Sequence, residues 1–437
     1  MRNNTVRYER LWALAWVLVA LALRLVYVST LPDQVLYSDE RDHYQLAVSL
    51  AQGHGYELED GRPTAVRPPG YPLFLALWYR LGLQSLPALR MVQAVVGAAT
   101  VWMMYLLIST LFSNRLWALV ALAMGAVYPY FIYLPGAILA TTWFSFLLIL
   151  SVFYLCRAQS GGGPYAPAVA GASAGLAVLT VPTTLVLVLM TVLWFLRSQA
   201  PWRRILIYSV TVAVVLAPWL YRNATTLGLI NVCSTGGYNF WLGNNPDSQI
   251  DLPCSVAPPS ALREKLHDAV SEHQVDRIYL FEALGYIAQD PAAFAGRTLN
   301  KALFFWRLDP SPVTKAYVTQ DALIAWVGAL SFAGLLALAI LGAFLLPASA
   351  RPLRSLWALY CLAFTLVYAL TIVKVRFRLP LEHLILAFSA YGFVRVWQWL
   401  CELRFVRRRM GCAGEPYFKL ETDADWPQGF IEREKLV

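Results

Sequence analysis

Charge is what this sequence has least of. Of 437 residues only 14% are Asp, Glu, Lys or Arg, against 58% hydrophobic ones, and the mean hydropathy is +0.53. A soluble chain of this length needs far more charge to cover its surface, so the scarcity excludes a soluble globular protein and points to a multi-pass membrane protein. The five histidines (His43, His54, His267, His273 and His383) show no HExxH or paired spacing, and the six cysteines show no metal-ligand spacing. No metal site is therefore expected and no cofactor is required, a divalent cation being the one candidate. Cys156, Cys361, Cys401 and Cys412 fall in or beside apolar runs on the predicted inner side. Cys233 and Cys254 share one predicted outer segment, where a disulfide and two free thiols are both open. P-loop, GxSxG and dinucleotide fingerprints are missing, which leaves nucleotide-driven transport unsupported. The net charge of +9 is not a nucleic-acid signal either, because most Lys and Arg residues flank apolar runs.

What the sequence has in abundance is apolar length. Runs able to cross a ~30 Å hydrocarbon core lie at 11–31, 87–111, 116–133, 136–156, 165–181, 183–197, 204–220, 320–346, 354–373 and 380–401. The fold class expected is an all-α polytopic membrane protein of about ten transmembrane helices, with eight to eleven as the range. The first run is too long and aromatic for a cleaved signal peptide and is expected to persist as a span. The fifth and sixth runs are short and meet at Thr180-Val181-Pro182-Thr183, where proline sets either a tight turn or a kink. With ten spans, Arg2, Arg7, Arg10, Arg157, Arg197, Arg203, Arg204, Arg351, Arg354 and the basic run 404–409 share one side. The positive-inside rule makes that side cytoplasmic and places both termini inside. Residues 1–401 then form one transmembrane domain with outer segments 32–86 and 221–319, followed by a polar cytoplasmic tail at 402–437.

The outer segments carry the candidate chemistry. Segment 36–72 is polar and rich in carboxylates although it lies between apolar runs, and acids beside a membrane mark a functional site by default. Asp39 and Glu40 precede a helical pattern in which Tyr44, Ala47, Val48 and Ala51 share a face. That spacing fits a general base at the start of an interfacial helix. By spacing alone, a solvated N-cap at Asp39 and a first-turn charge at Asp42 fit better. The stretch Arg67-Pro68-Pro69-Gly70-Tyr71-Pro72 reads as a rigid entry to the membrane that excludes regular helix, with Arg67 as an anion ligand or an interfacial snorkel. Lys374, Arg376 and Arg378 are three cations in five residues on the outer side, against the charge rule. A specific anion explains them better than topology, and guanidinium forks suit phosphate. Lipid headgroups are the competing partner. In the second outer segment, 263–291 shows near-helical spacing, and Asp290-Pro291 reads as the cap of an amphipathic interfacial helix.

Taken together, SDERDHYQLAVSLAQGHGY (38–56) and PTAVRPPGYPLFLALW (63–78) resemble the first outer loop of GT-C superfamily glycosyltransferases. The branch is that of bacterial protein-mannosyltransferase-like and aminoarabinose-transferase-like enzymes. APWLYRN (217–223), STGGYNFWLGNNP (234–246) and VRFRLPLEHLILAFSAYG (375–392) agree in order, so the resemblance runs from about residue 10 to 400. It implies a GT-C-like bundle in the bacterial inner membrane. There a sugar passes from a polyprenyl-phosphate carrier to a lipid, glycan or protein acceptor at the outer face, with inversion at the anomeric carbon. It assigns Asp39, with Glu40 beside it, to the acceptor. By position, Arg376 and Arg378, with Lys374, Arg67 and Arg222, fall to the carrier phosphate. Two departures stand out. Thr141 and Thr142 occupy a place where relatives carry an acid, and Val181 stands where they carry Arg in a Leu-Thr-Arg-Pro turn. The alternatives are therefore a non-catalytic binder of the lipid-linked sugar, a flippase, and an assembly subunit of an envelope polysaccharide system.

Overall fold

In lipid a backbone must satisfy its own N–H and C=O groups, so long apolar runs can only be helices. The computed structural model describes residues 2–35, 38–58, 61–112, 115–250, 256–308, 322–346 and 351–402. The chain enters through α1 (Arg2–Ser29), and loop one folds into α2 (Ser38–Gln52) and α3 (Gly70–Arg80). Next come α4 (Leu86–Leu111), α5 (Arg115–Val127), the short α6 (Pro129–Tyr133), α7 (Thr141–Gln159), α8 (Tyr165–Thr180), α9 (Leu185–Arg197) and α10 (Trp202–Leu227). The second polar segment holds α11 (Gly236–Asn244), α12 (Ser260–His267), α13 (Glu272–Gln289) and α14 (Pro291–Phe305). Finally α15 (Ala322–Leu345), α16 (Arg351–Leu370) and α17 (Leu379–Glu402) close the bundle. Among the described residues there is no strand, only an isolated bridge between Glu57 and Pro63.

All ten apolar runs carry helix. Among the described residues seven, within α1, α4, α7, α10, α15, α16 and α17, are long and apolar enough to cross a bilayer, and α5 with the segment Pro129–Gly136 is a pair bent by 59°, either one broken span or a re-entrant loop. The other two, α8 and α9, are shorter. Val181 between them is extended, as a residue before proline is, and Pro182–Thr184 forms one 3₁₀ turn. The bundle is a multi-pass membrane protein with its apolar core between helices and a second apolar surface outward. Leu14, Leu18, Val26, Val210, Val214 and Leu330 are exposed on the outward faces, where lipid rather than water is the neighbour.

The bend between α5 and α6 has a local cause. Pro129 has no N–H to give the carbonyl of Gly125, and Arg24 of α1 fills that place. Its guanidinium donates to Gly125 O at 3.1 Å and to Ala126 O at 3.4 Å. A cation at a helix C-terminus is also the favourable sign for the dipole.

Loop one packs on the bundle through Ala47 of α2 and Tyr71, Phe74 and Leu75 of α3, against Leu86, Leu89 and Ile138. Here one expectation is corrected. The Gly70-Tyr71-Pro72 stretch does not exclude helix but begins α3, because a proline within the first turn interrupts no i→i−4 bond. Gly70 is required at that start, since a Cβ there would collide with Thr180 Oγ1 and with the backbone of Leu179.

The second polar segment divides where Ser271 caps α13 by accepting from Gln274 N, and α14 is capped as expected by Asp290, which accepts from Ala293 N at 2.9 Å. Trp241, Leu242, Leu262, Tyr279 and Ala283 give this segment its own small core. It meets the bundle where α11 abuts the end of α16. A Cβ on Gly243 would lie inside the Thr371 carbonyl, and Lys301 of α14 donates there to Gly243 O, Asn244 Oδ1 and Thr371 O. Gly243→Ala is expected to destabilise the protein by ~1–3 kcal/mol, the usual cost of overpacking. Thermal unfolding in detergent reads this out, and an unchanged midpoint would show that the contact can relax. Cys233 is a buried free thiol; Cys254 and residues 403–437 of the expected tail lie outside the described residues.

Candidate active site

Three stretches far apart in the chain converge at the loop-one face. Asp39, in the first turn of α2, has both carboxylate oxygens engaged. Oδ1 accepts from Arg67 Nη2 at 2.7 Å, and Oδ2 accepts from Arg376 Nη2 at 2.7 Å. Arg67 also grips Asp42, one turn further along α2, through Nε at 3.0 Å and Nη2 at 2.8 Å. Lys374 adds a third positive charge close enough to act on Asp39. Burial by itself would raise the Asp39 carboxyl, but Arg67 and Arg376 outweigh it and hold the group well below the ordinary carboxylate range. The cluster is not sealed: the side chains of Asp39 and Arg67 are each 26% exposed, and that of Arg376 is 13% exposed.

Several struts fix these groups. Arg67 stands just before α3, whose start is set by Gly70 against the end of α8. Arg376 lies in a 3₁₀ turn, Val375–Phe377, and the neighbouring Phe377 stacks on Tyr368 at 4.7 Å. The Tyr368 hydroxyl shares a 3.2 Å hydrogen bond with Thr183, so the proline turn between α8 and α9 supports the arginine turn from below. Beneath Asp39, His43 is buried edge-on against Tyr71 with ring centroids 5.0 Å apart. The Tyr71 hydroxyl donates to Gln93 Oε1 at 2.8 Å, and Gln93 Nε2 donates to Pro135 O and Ala137 O.

The remaining predicted residues do other work. Glu40 is fully buried and accepts from Ile138 N at 2.9 Å, which ties α2 to the segment before α7. Arg222 donates to Thr64 O, Tyr56 O and Asn223 Oδ1 and lies 4.9 Å over the Trp219 ring, pinning the middle of loop one. Arg378 corrects the expectation from spacing, because it is only 1% exposed. It pairs with Glu382 Oε1 at 2.7 Å, donates to the carbonyls of Phe305 and Arg307, and covers the Phe332 ring at 3.4 Å. The 3₁₀ turn sends Arg376 and Arg378 in different directions, so one cation joins the site and the other joins the core.

Spacing also missed partners that only three-dimensional proximity reveals. Glu272 of α13 accepts from Ala65 N at 2.9 Å, from Ser234 Oγ at 2.7 Å and from the Thr64 hydroxyl, clamping the second polar segment onto loop one. Thr142, where an acid was expected, is buried and does not reach Asp39 by any hydrogen bond. Among the described residues, no group of three or more His, Cys, Asp or Glu side chains is arranged to hold a metal ion.

His43 supplies a pH test. Burial, and then repulsion from Arg67, pushes its imidazole down to about 3 from 6.5, although Asp39 pulls the other way. The fold therefore accepts the neutral ring, and the unfolded chain binds the extra proton between these two values. Stability is expected to fall as pH drops below about 6.5, by up to ~1.4 kcal/mol per pH unit from this group. Unfolding midpoints at pH 7, 6 and 5 for the wild type and His43→Leu check this. Equal slopes would remove His43 from the account.

Residues 66–221 match the sequence model of the dolichyl-phosphate-mannose-protein mannosyltransferase family. The match takes in Arg67, the helices from α3 to α9 and most of α10, and it ends before Arg376. No curated protein matches the chain in sequence. Among solved structures, ArnT from Cupriavidus metallidurans is similar over 96% of this chain and 84% of its own, at 14% identity. The TM-scores are 0.44 for its undecaprenyl-phosphate-bound form and 0.40 for its apo form.

Proposed function

We infer that this protein is a GT-C-type transferase that moves a sugar from a polyprenyl-phosphate carrier to an acceptor at the extracytoplasmic face of the membrane. One observation carries the reading: the Asp39 carboxylate is held between Arg67 and Arg376, so a candidate base and candidate phosphate ligands share one partly open place. The family match over 66–221 and the order of the motifs support it.

The chemistry is a single displacement. The acceptor hydroxyl oxygen attacks the anomeric carbon from the side opposite the carrier phosphate, and the bond from that carbon to the phosphate oxygen breaks. Its electron pair stays on the departing polyprenyl phosphate, and the acceptor proton passes to Asp39. Arg376 and Lys374 offset the charge that builds on the leaving phosphate. Inversion follows from attack opposite the leaving group.

The ion pairs also set an order. With both guanidiniums in place Asp39 is a poor base, because they lower its affinity for a proton. A carrier phosphate competes for Arg376. Once Arg376 turns to it, Asp39 keeps Arg67 as its one guanidinium partner and its proton affinity rises. Donor binding therefore prepares the base. Reconstitution in liposomes with a polyprenyl-phosphate sugar tests the carrier assignment. Arg376→Ala and Lys374→Ala are expected to raise KM for the carrier ~10-fold or more, the size of a lost charge-assisted hydrogen bond. An unchanged carrier KM would take these cations off the phosphate. Carrier translocation with no transferred sugar would favour the flippase.

A further inference from the structure

Inside the bundle lies a small cavity between α1, α4, α7, α17 and the segment 131–135. Arg24, Thr100, Thr142, Ser145 and His383 form the polar part of its lining and Gly97, Phe131, Leu134 and Pro135 the rest, and it has about 10 Å³ of room for the centre of a water-sized particle. That is space for one water-sized occupant. Arg24 is completely buried and makes no ion pair among the described residues, its terminal nitrogens being bound to carbonyls of Ala20, Gly125 and Ala126. Its Nε–H and the Thr142 hydroxyl, both buried, have no hydrogen-bond partner there. Three further polar atoms of the lining are engaged. Thr100 and Ser145 donate to the carbonyls of Val96 and Thr141, and His383 Nδ1 lies 3.2 Å from Leu379 O. Glu382, next to His383, is taken by Arg378 and Tyr128.

A buried guanidinium without a counter-charge is costly. The two unused groups in this cavity are both able to donate a proton, and the wall they share carries a full positive charge. We propose that the cavity is a site for one small monovalent anion, of the halide class, held by Arg24 Nε–H and the Thr142 hydroxyl. A water there would satisfy the donors but leave the charge of Arg24 to carbonyl dipoles alone. The anion does both. The site is separate from the carrier-phosphate cluster, because the segment from Leu134 to Ile138 lies between them, bonded to Gln93 on one side and Glu40 on the other.

The intact protein in nanodiscs tests this through thermal unfolding read by tryptophan fluorescence. Sodium chloride or bromide is titrated against sodium gluconate at constant ionic strength. The expected result is a saturable, halide-specific rise in Tm, with the halide midpoint at least ten-fold higher in Thr142→Val and the response lost in Arg24→Gln. Because Arg24 also pins the end of α5, Arg24→Gln is liable to misfold; Thr142→Val keeps the guanidinium and nearly the same shape, and it decides the question. Equal Tm in chloride and gluconate, or an unaltered halide midpoint in Thr142→Val, overturns the proposal and leaves the cavity to water.

Discussion

Asp39→Asn is expected to lower sugar transfer by ~10²–10⁴-fold while the protein remains folded and inserted, the range by which a positioned general base accelerates a reaction. The amide keeps the size of the side chain but neither takes a proton nor carries the charge that holds two guanidiniums. Folding should survive because Arg67 retains Asp42 through two hydrogen bonds, and because α2 is anchored independently by Glu40 on Ile138. Arg376 loses its carboxylate partner and becomes free for the carrier phosphate. The variant should therefore bind carrier as well as the wild type or better, and the loss should appear in kcat. Single-turnover transfer in liposomes, together with a carrier-binding measurement, separates these quantities. Full activity would remove Asp39 from the role of base. A loss confined to carrier binding would make it a structural partner of Arg376.

Glu382→Ala carries the largest expected cost in stability. Glu382 is fully buried; it pairs with Arg378 at 2.7 Å and accepts from the Tyr128 hydroxyl at 2.7 Å. Through these bonds it joins α17 to the bend between α5 and α6, and by way of Arg378 to the end of α14. Truncating it strands the Arg378 charge in the core, which costs ~3–5 kcal/mol when a buried pair loses one member. Removing both charges avoids that penalty, so Arg378→Met with Glu382→Leu should recover most of the loss. Midpoints of unfolding in detergent for the single and double variants measure the difference. If Glu382→Ala unfolds with the wild type, the pair is not holding these helices together.

These two carboxylates also mark how far the sequence could be read. Both Asp39 and Glu382 sit four residues from another polar group, Asp39 from His43 within α2 and Glu382 from Arg378 just before α17. Spacing gave no reason to send one to a partly open site and the other to the core. The same limit explains Arg376 and Arg378. On a linear view they are two equivalent cations. In the fold one 3₁₀ turn separates them, and the packing of Phe377 on Tyr368 decides which side each takes. Arg24, Gln93, His43 and Glu272 were invisible for a related reason. Each acts on backbone or side chains brought near by other helices, and no local pattern records such a neighbour.

By itself the sequence determined the membrane class, the positions of the apolar runs and the Asp290 cap of α14. Those properties depend on the length and periodicity of apolar residues and on backbone chemistry within a few residues, which a linear chain carries in full. The tertiary structure alone decided which charges meet, which are buried and what each carboxylate's proton affinity becomes. Ion pairing and desolvation act over a few ångströms of space, whatever the separation along the chain.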